Sequence, residues 1–268
     1  MRLQRLCFLI LPLLTLPAFA DSVTLGSAAY FGVLGASTVT NTGPTVINGD
    51  LGLYPGTSVT GFPPGSVNGT AYITDGVAQQ AQSDALAAYT TAAGLSVTQT
   101  LTGQDLGGMT LTPGVYFFSS DAGLGVSAPT VDTLTLNFEN LNNAAIVFQI
   151  GSALTTGSGS SVVLENLGTN DEVIWQVGSS ATLGSTTSFE GNIIADQSIT
   201  LVTGADIGCG SALALNGAVT LDTNTITTGC NGGLMGPPPS AVPEPGSMTL
   251  LGSGLIALAR FVRRRRHS

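Results

Sequence analysis

Acid–base chemistry in this sequence would have to come from carboxylates, and the central candidates are Asp105, Asp171, Glu172, Glu190 and Asp196. Paired carboxylates can cleave a glycosidic bond, but charge that builds up in such reactions is commonly met by Arg or Lys. Neither stands between Leu6 and Ala259, and neither does a His, the commonest general base. Asp171 and Glu172 are neighbours and are expected in a solvated turn; Asp105, within TGQDLGG, is expected to cap a turn. Between Phe8 and Ala259, Cys209 and Cys230 have no third Cys or His to make a metal motif, and no EF-hand or Gly-rich calcium loop occurs. The expectation is no enzyme, no cofactor and no metal. Without cations the middle of the chain cannot grip phosphate, so nucleic acid is not an expected partner.

Hydroxyl groups remain, and their spacing is regular. FQIGSALTTGSGSS from Phe148 and WQVGSSATLGSTTS from Trp175 share Gln, Gly, Ser and Thr positions at an offset of 27 residues. Shorter echoes follow at Ile199 to Thr203 and Val219 to Thr223. In each copy a Thr is followed three residues later by Thr or Ser: Thr155 and Ser158, Thr182 and Ser185, Thr200 and Thr203, Thr220 and Thr223. The last three copies are separated by 18 and 20 residues, a length that suits one coil of a three-sided β-solenoid with roughly six residues per side.

Alternation assigns the faces, because neighbours on a strand point opposite ways. Ile199, Leu201, Val219, Leu221, Ala181 and Leu183 should point inward, which leaves Thr155, Thr182, Thr200 and Thr220 in one outward file. A bend must intervene for Ser158, Ser185, Thr203 and Thr223 to join that surface. Outward Thr is also simply a good β-former, but a register of four on a face with little charge favours a functional surface. Asp222 and Asp206 near the repeats, Gly157 and Gly159 in the first copy, and Ala205 where an array would carry Thr are departures from regularity.

The elements that must hold this file follow from composition. With 36 Gly in the chain and abundant Thr, Ser and Val, short strands between turns are expected, so the protein should be mainly β. One stretch differs. From Asp75 to Gly94 the chain is Ala-rich and Pro-free, with Val77, Ala81, Ala85 and Tyr89 on one face and Ala78, Leu86 and Ala93 beside them. Asp75 is the expected N-cap and Gly94 the C′ residue of one long helix packed along a sheet.

The two ends hold all seven basic residues, Arg2, Arg5, Arg260 and Arg263 to Arg266. Arg2 and Arg5, the apolar run Leu6 to Leu16 and Ala18-Phe19-Ala20 make residues 1–20 a secretory signal peptide. The domain then spans 21–230, and of three cysteines Cys7 leaves with the signal. The remaining pair, Cys209 and Cys230, is either a disulfide stapling the last part of the domain or two free buried thiols. A Gly/Pro linker covers 231–241. Residues 242–268 combine Val242-Pro243-Glu244-Pro245, an apolar run from Met248 to Leu258 that makes a short transmembrane segment, and the arginine cluster. These residues resemble the bacterial PEP-CTERM sorting signal, which implies recognition by an exosortase-type enzyme, contact with the membrane, and transient or permanent anchoring of an exported protein at the cell surface.

The domain itself resembles the microbial ice-binding, or antifreeze, family. The resemblance runs over residues 26 to 228. It rests on Phe31-Gly32-Val33-Leu34-Gly35, Thr38 to Thr45 (TVTNTGPT), Asn48 to Gly52 (NGDLG), Gly61 to Gly65 (GFPPG), Leu101 to Gly108, Leu111 to Tyr116 (LTPGVY) and Asn216 to Thr225. It implies a right-handed three-sided β-solenoid with one long α-helix packed alongside, a coil order that need not follow the sequence, and ice binding through a flat face; a monomer is expected. The four Thr/Ser pairs are where that face maps. Charged Lys and Arg would hold their own water on long mobile stems, so their absence suits such a surface. The rival is an adhesive or structural protein of the cell surface or extracellular matrix without strong ice activity.

Overall fold

In the computed structural model, which describes residues 23–126 and 132–229, short parallel strands build three sheets joined by tight corners. Each circuit of the chain lays one strand on each sheet in turn. The clearest circuit runs Glu172–Val177 on the first sheet, Ala181–Leu183 on the second and Ser188–Glu190 on the third; the next begins at Asn192–Ala195. This is a mainly β, coiled architecture with a single α-helix among the described residues.

Coil order departs from chain order, as the resemblance implied. On the first sheet the strand Ala212–Ala214 lies between Asn192–Ala195 and Phe31–Gly35, so the last circuit packs against the first one. Asp50–Leu53 and Ala71–Ile73 continue from there to one end. Gly114–Phe118 and Gln99–Thr100 close the other.

The unequal repeat lengths have a physical origin at the corner from the third sheet to the first. In the 18-residue unit a single residue, Gly191, turns the chain from Glu190 to Asn192. It does so at φ +106°, and a Cβ there would lie 2.8 Å from Trp175 Nε1. In the 27-residue unit the corner is a loop from Asn166 to Asp171. Asn166 and Asn170 there take positive φ and reach back to Asn137 and Asn143 of the coil before.

Inward positions fill the solenoid with aliphatic residues around an aromatic column. Tyr116, Phe148 and Trp175 pair in register on the first sheet. Their rings stack at 5.7 and 3.8 Å between centroids, and Phe189 packs on Trp175 at 4.9 Å. Trp175 Nε1 donates to the Glu190 carbonyl oxygen, and the Tyr116 hydroxyl donates to the Thr112 carbonyl oxygen, so both polar groups of that column are satisfied.

The helix α1 spans Gly76–Gly94, and Asp75 caps it as expected, its carboxylate accepting from the Val77 and Ala78 amides. Its buried stripe is alanine throughout: Ala78, Ala81, Ala85, Ala88 and Ala92. Small side chains let the helix lie close on the outer side of the first sheet, against Leu34, Val147, Ile174, Ile194 and Leu213. The expected stripe is corrected at its margins. Leu86 is 54% exposed, Ala93 is exposed, and Val77 and Tyr89 are only half-buried. Gly94 is the last helical residue rather than a left-handed C′ residue, with Leu95 as the C-cap. Two glutamines clamp the helix. Gln82 donates to the Gly35 and Ala214 carbonyls, and buried Gln149 donates to Ala92 and Leu95 at the C-terminal end.

Candidate functional site

Three sheets give three outer faces, and they are not equivalent. The first is covered by α1. The third carries Glu165, Glu190 and Asp206 at outward positions. The second has neither cover nor carboxylates along its centre.

On that second sheet the strands Leu154–Thr156, Ala181–Leu183, Ile199–Leu201 and Val219–Asp222 pair side by side. Their register puts Thr155 opposite Thr182, Thr182 opposite Thr200, and Thr200 opposite Thr220. The flanking Leu154, Ala181, Leu183, Ile199, Leu201, Val219 and Leu221 are all buried, so parity turns the threonines to solvent. Being β-branched, each Thr is stiff at χ1, and neighbours repeat at about 4.8 Å, the spacing of adjacent strands.

The file is longer than the sequence repeat indicated. Thr220 is followed in register by Thr40 of the strand Thr38–Thr42, and Thr40 by Thr60 of Ser58–Thr60. Thr40 and Thr60 are exposed, which makes six threonines in one file. At the opposite edge Gly123 takes the place beside Thr155. The signal that would have found the extension is the dipeptide Val-Thr at 39–40, 59–60 and 219–220. No constant offset connects these copies, because the last circuit pairs with the first.

The second members of the four pairs are placed less uniformly. The strands end at Thr156, Leu183 and Leu201, and the required bend follows. Ser158 and Ser185 come together, Oγ to Oγ at 2.9 Å. The backbone bonds Gly159 N–Ser185 O, Thr186 N–Thr203 O and Gly204 N–Asp222 O then carry the line from Ser185 to Thr203 and on to Asp222. Thr223 does not continue this file. Ile207 pairs with Ile226, so the corner after Leu221 is one residue shorter than the corner after Leu201. Thr223 turns away at φ +56° and its hydroxyl donates to Asp222 at 3.0 Å. Thr203 also donates to the Asp222 carboxylate, so that carboxylate is occupied by two hydroxyls.

Other expected irregularities move off this surface. Ala205 is fully buried core, and Asp206 belongs to the third sheet, where it accepts from the Thr225 amide. Thr156, next to Thr155, is buried with its hydroxyl 2.8 Å from that of Thr187.

The candidate acid–base residues do not assemble. Asp105 caps its turn as expected, accepting from the Gly107, Gly125 and Val126 amides. Of Asp171 and Glu172, both expected in a solvated turn, Asp171 lies half-buried in the corner loop and Glu172 is corrected. Asp171 accepts from Ala144 and Gly168, while Glu172 opens a strand and accepts from the Val23 amide at 2.7 Å. Burial pushes the Glu172 carboxyl up from its ordinary value, the Val23 bond offsetting part of that. Burial also pushes Glu190 up to about 7, and its Oε2 has no hydrogen-bond partner among the described residues. Among those residues there is no group of three His, Cys, Asp or Glu able to hold a metal ion. Cys209 is disulfide-bonded; Cys230 lies outside the described residues.

The ends of the chain, including Val242 to Pro245, the apolar run and the arginines, also lie outside them. Among the described residues no helix is long and apolar enough to cross a membrane. A PEP-CTERM protein-sorting motif matches residues 241–266, which implies export, exosortase recognition and C-terminal sorting.

For the domain, the family model described as Ice-binding-like matches residues 33–227. An ice-binding protein of Nostoc sp. (strain HG1) is 51% identical over 245 residues, which covers 90% of this chain and 87% of that one. One from Flavobacterium frigoris (strain PS1) is 33% identical over 221 residues, 77% and 76% of the two chains. Among solved structures, an ice-binding protein from an Antarctic biological consortium superposes with a TM-score of 0.72 at 45% identity, covering 79% of this chain and 93% of that one. That of the ascomycete Antarctomyces psychrotrophicus gives 0.72 at 41% identity, covering 79% and 100%. With the matched model spanning well over half of its length, this chain belongs to the ice-binding-like family, a family of ice-binding proteins and not of enzymes.

Proposed function

We propose that this is an exported protein that adsorbs to ice through its second sheet, with Thr155, Thr182, Thr200, Thr220, Thr40 and Thr60 as the contact file and Ser158, Ser185 and Thr203 beside it. The observation that carries this reading is the register of six outward threonines on the one face with neither helix nor carboxylates along its centre. A rigid lattice of methyls and hydroxyls can hold water in an ice-like arrangement without first stripping it from a charged group. Adsorbed molecules then inhibit growth or recrystallisation, or hold a tethered cell to ice.

The rest of the reading is supported by sequence pattern. Export removes residues 1–20, Cys209 pairs with Cys230 in the oxidising compartment, and the tail from Val242 hands the protein to an exosortase-type enzyme. The coil is right-handed, the hand that right-twisted strands favour in parallel crossovers, and the domain acts as a monomer.

The test is partition of the purified chain into slowly grown polycrystalline ice. Enrichment in the ice fraction is expected. Exclusion into the liquid with a folded far-UV spectrum contradicts the proposal and favours a surface or matrix role without strong ice activity.

A further inference from the structure

The described chain enters and leaves the solenoid at one corner. Val23 is tied by its amide to Glu172, the first residue of a first-sheet strand. At the other end, Thr228 N donates to Asn48 O and Gly210 N to Thr227 O, directly after the third-sheet strand Thr225–Thr227. Leu25, Glu172, Cys209 and Gly229 line a single cleft there. The disulfide-bonded Cys209 anchors this corner. It is the corner between the third sheet and the first, and in a three-sided coil that corner is opposite the second sheet.

The matched sorting motif begins at residue 241, twelve residues after Gly229. Even fully extended, such a segment reaches only about 40 Å. A tether this short makes the exit point matter, since a chain leaving from the threonine side would hold that side toward whatever anchors it.

We infer that the domain engages ice while its C-terminus is anchored, with the third-to-first-sheet corner facing the cell and the threonine sheet facing outward. This deepens the proposed function and rests on the second sheet being the ice face. The partner chemistry is two-sided, with crystalline water on one side and the anchoring surface on the other.

The test compares attachment points on the full chain in a Cys7→Ser background. Thr24→Cys, exposed beside Val23, or Thr220→Cys, in the threonine file, is coupled to beads by a short maleimide linker. Ice should capture beads held at Thr24→Cys on the order of ten-fold better than beads held at Thr220→Cys, since engagement is lost where geometry forbids it. Adsorption of the free Thr24→Cys chain that disappears on coupling overturns the orientation alone. A free chain with native threonines that does not adsorb to ice overturns the face assignment, and the orientation with it.

Discussion

Thr40, near the start of the domain, pairs in register with Thr220, near its end. The contact joins two parts of the threonine file that no constant sequence offset relates, and it makes the file one surface rather than two. Thr40→Lys should therefore lower thermal hysteresis about as much as Thr220→Lys, because either places a mobile, tightly hydrated ammonium on the same face. As exposed substitutions, both should leave stability within about 0.5 kcal/mol. A Thr40→Lys protein with undiminished hysteresis would confine the face to the later coils.

Much of this surface was legible in the sequence. Alternation at Ile199-Thr200-Leu201 and Val219-Thr220-Leu221 gave the inward and outward sides, and the offsets gave the coil. Thr40 and Thr60 were hidden because the last circuit closes on the first, a long-range pairing that periodicity along the chain does not carry. Thr223 was misplaced because a corner one residue shorter leaves no mark in the spacing of Thr220 and Thr223. In the helix the apolar spacing placed Leu86 and Ala93 beside the buried face; the sheet instead selects a stripe of alanine, since only a small side chain allows so close an approach. Glu172 was read as a turn residue because its partner, the Val23 amide, lies 149 residues away.

Gln149 joins the sheet to the helix, giving hydrogen bonds of 2.8 and 2.9 Å to the carbonyls of Ala92 and Leu95. Gln149→Leu keeps the bulk and removes both bonds, leaving the Ala92 carbonyl only its bond from the Leu95 amide, at a cost of about 1–3 kcal/mol. The loss should appear as a lower thermal midpoint and as faster amide exchange in the last turn of the helix. Ice activity per folded molecule should not change, because the helix lies on a different sheet from the threonines.

Glu190 supplies a pH dependence with a definite sign. Its carboxyl is pushed up to about 7 by burial, against an ordinary value of 4.5. The folded state thus prefers the protonated form, and stability falls as pH rises from the ordinary value through about 7. Partial exposure screens the ionised group, so the fall is smaller than the full shift would give. Glu190→Gln should raise the melting temperature at pH 8 relative to the parent and have little effect at pH 4. Equal effects at the two values would show that ionisation of Glu190 is not what costs stability.

The central claim is that ice is met by one sheet out of three, and the most direct measurement is thermal hysteresis of two matched variants of the whole chain. Thr200→Tyr puts a bulky ring in the middle of the threonine file; Val163→Tyr puts the same ring on the third sheet, where Val163 is 38% exposed. Loss of hysteresis in Thr200→Tyr with parental hysteresis in Val163→Tyr is the predicted result, both proteins remaining folded. Parental activity in Thr200→Tyr, or equal loss in both, would contradict it.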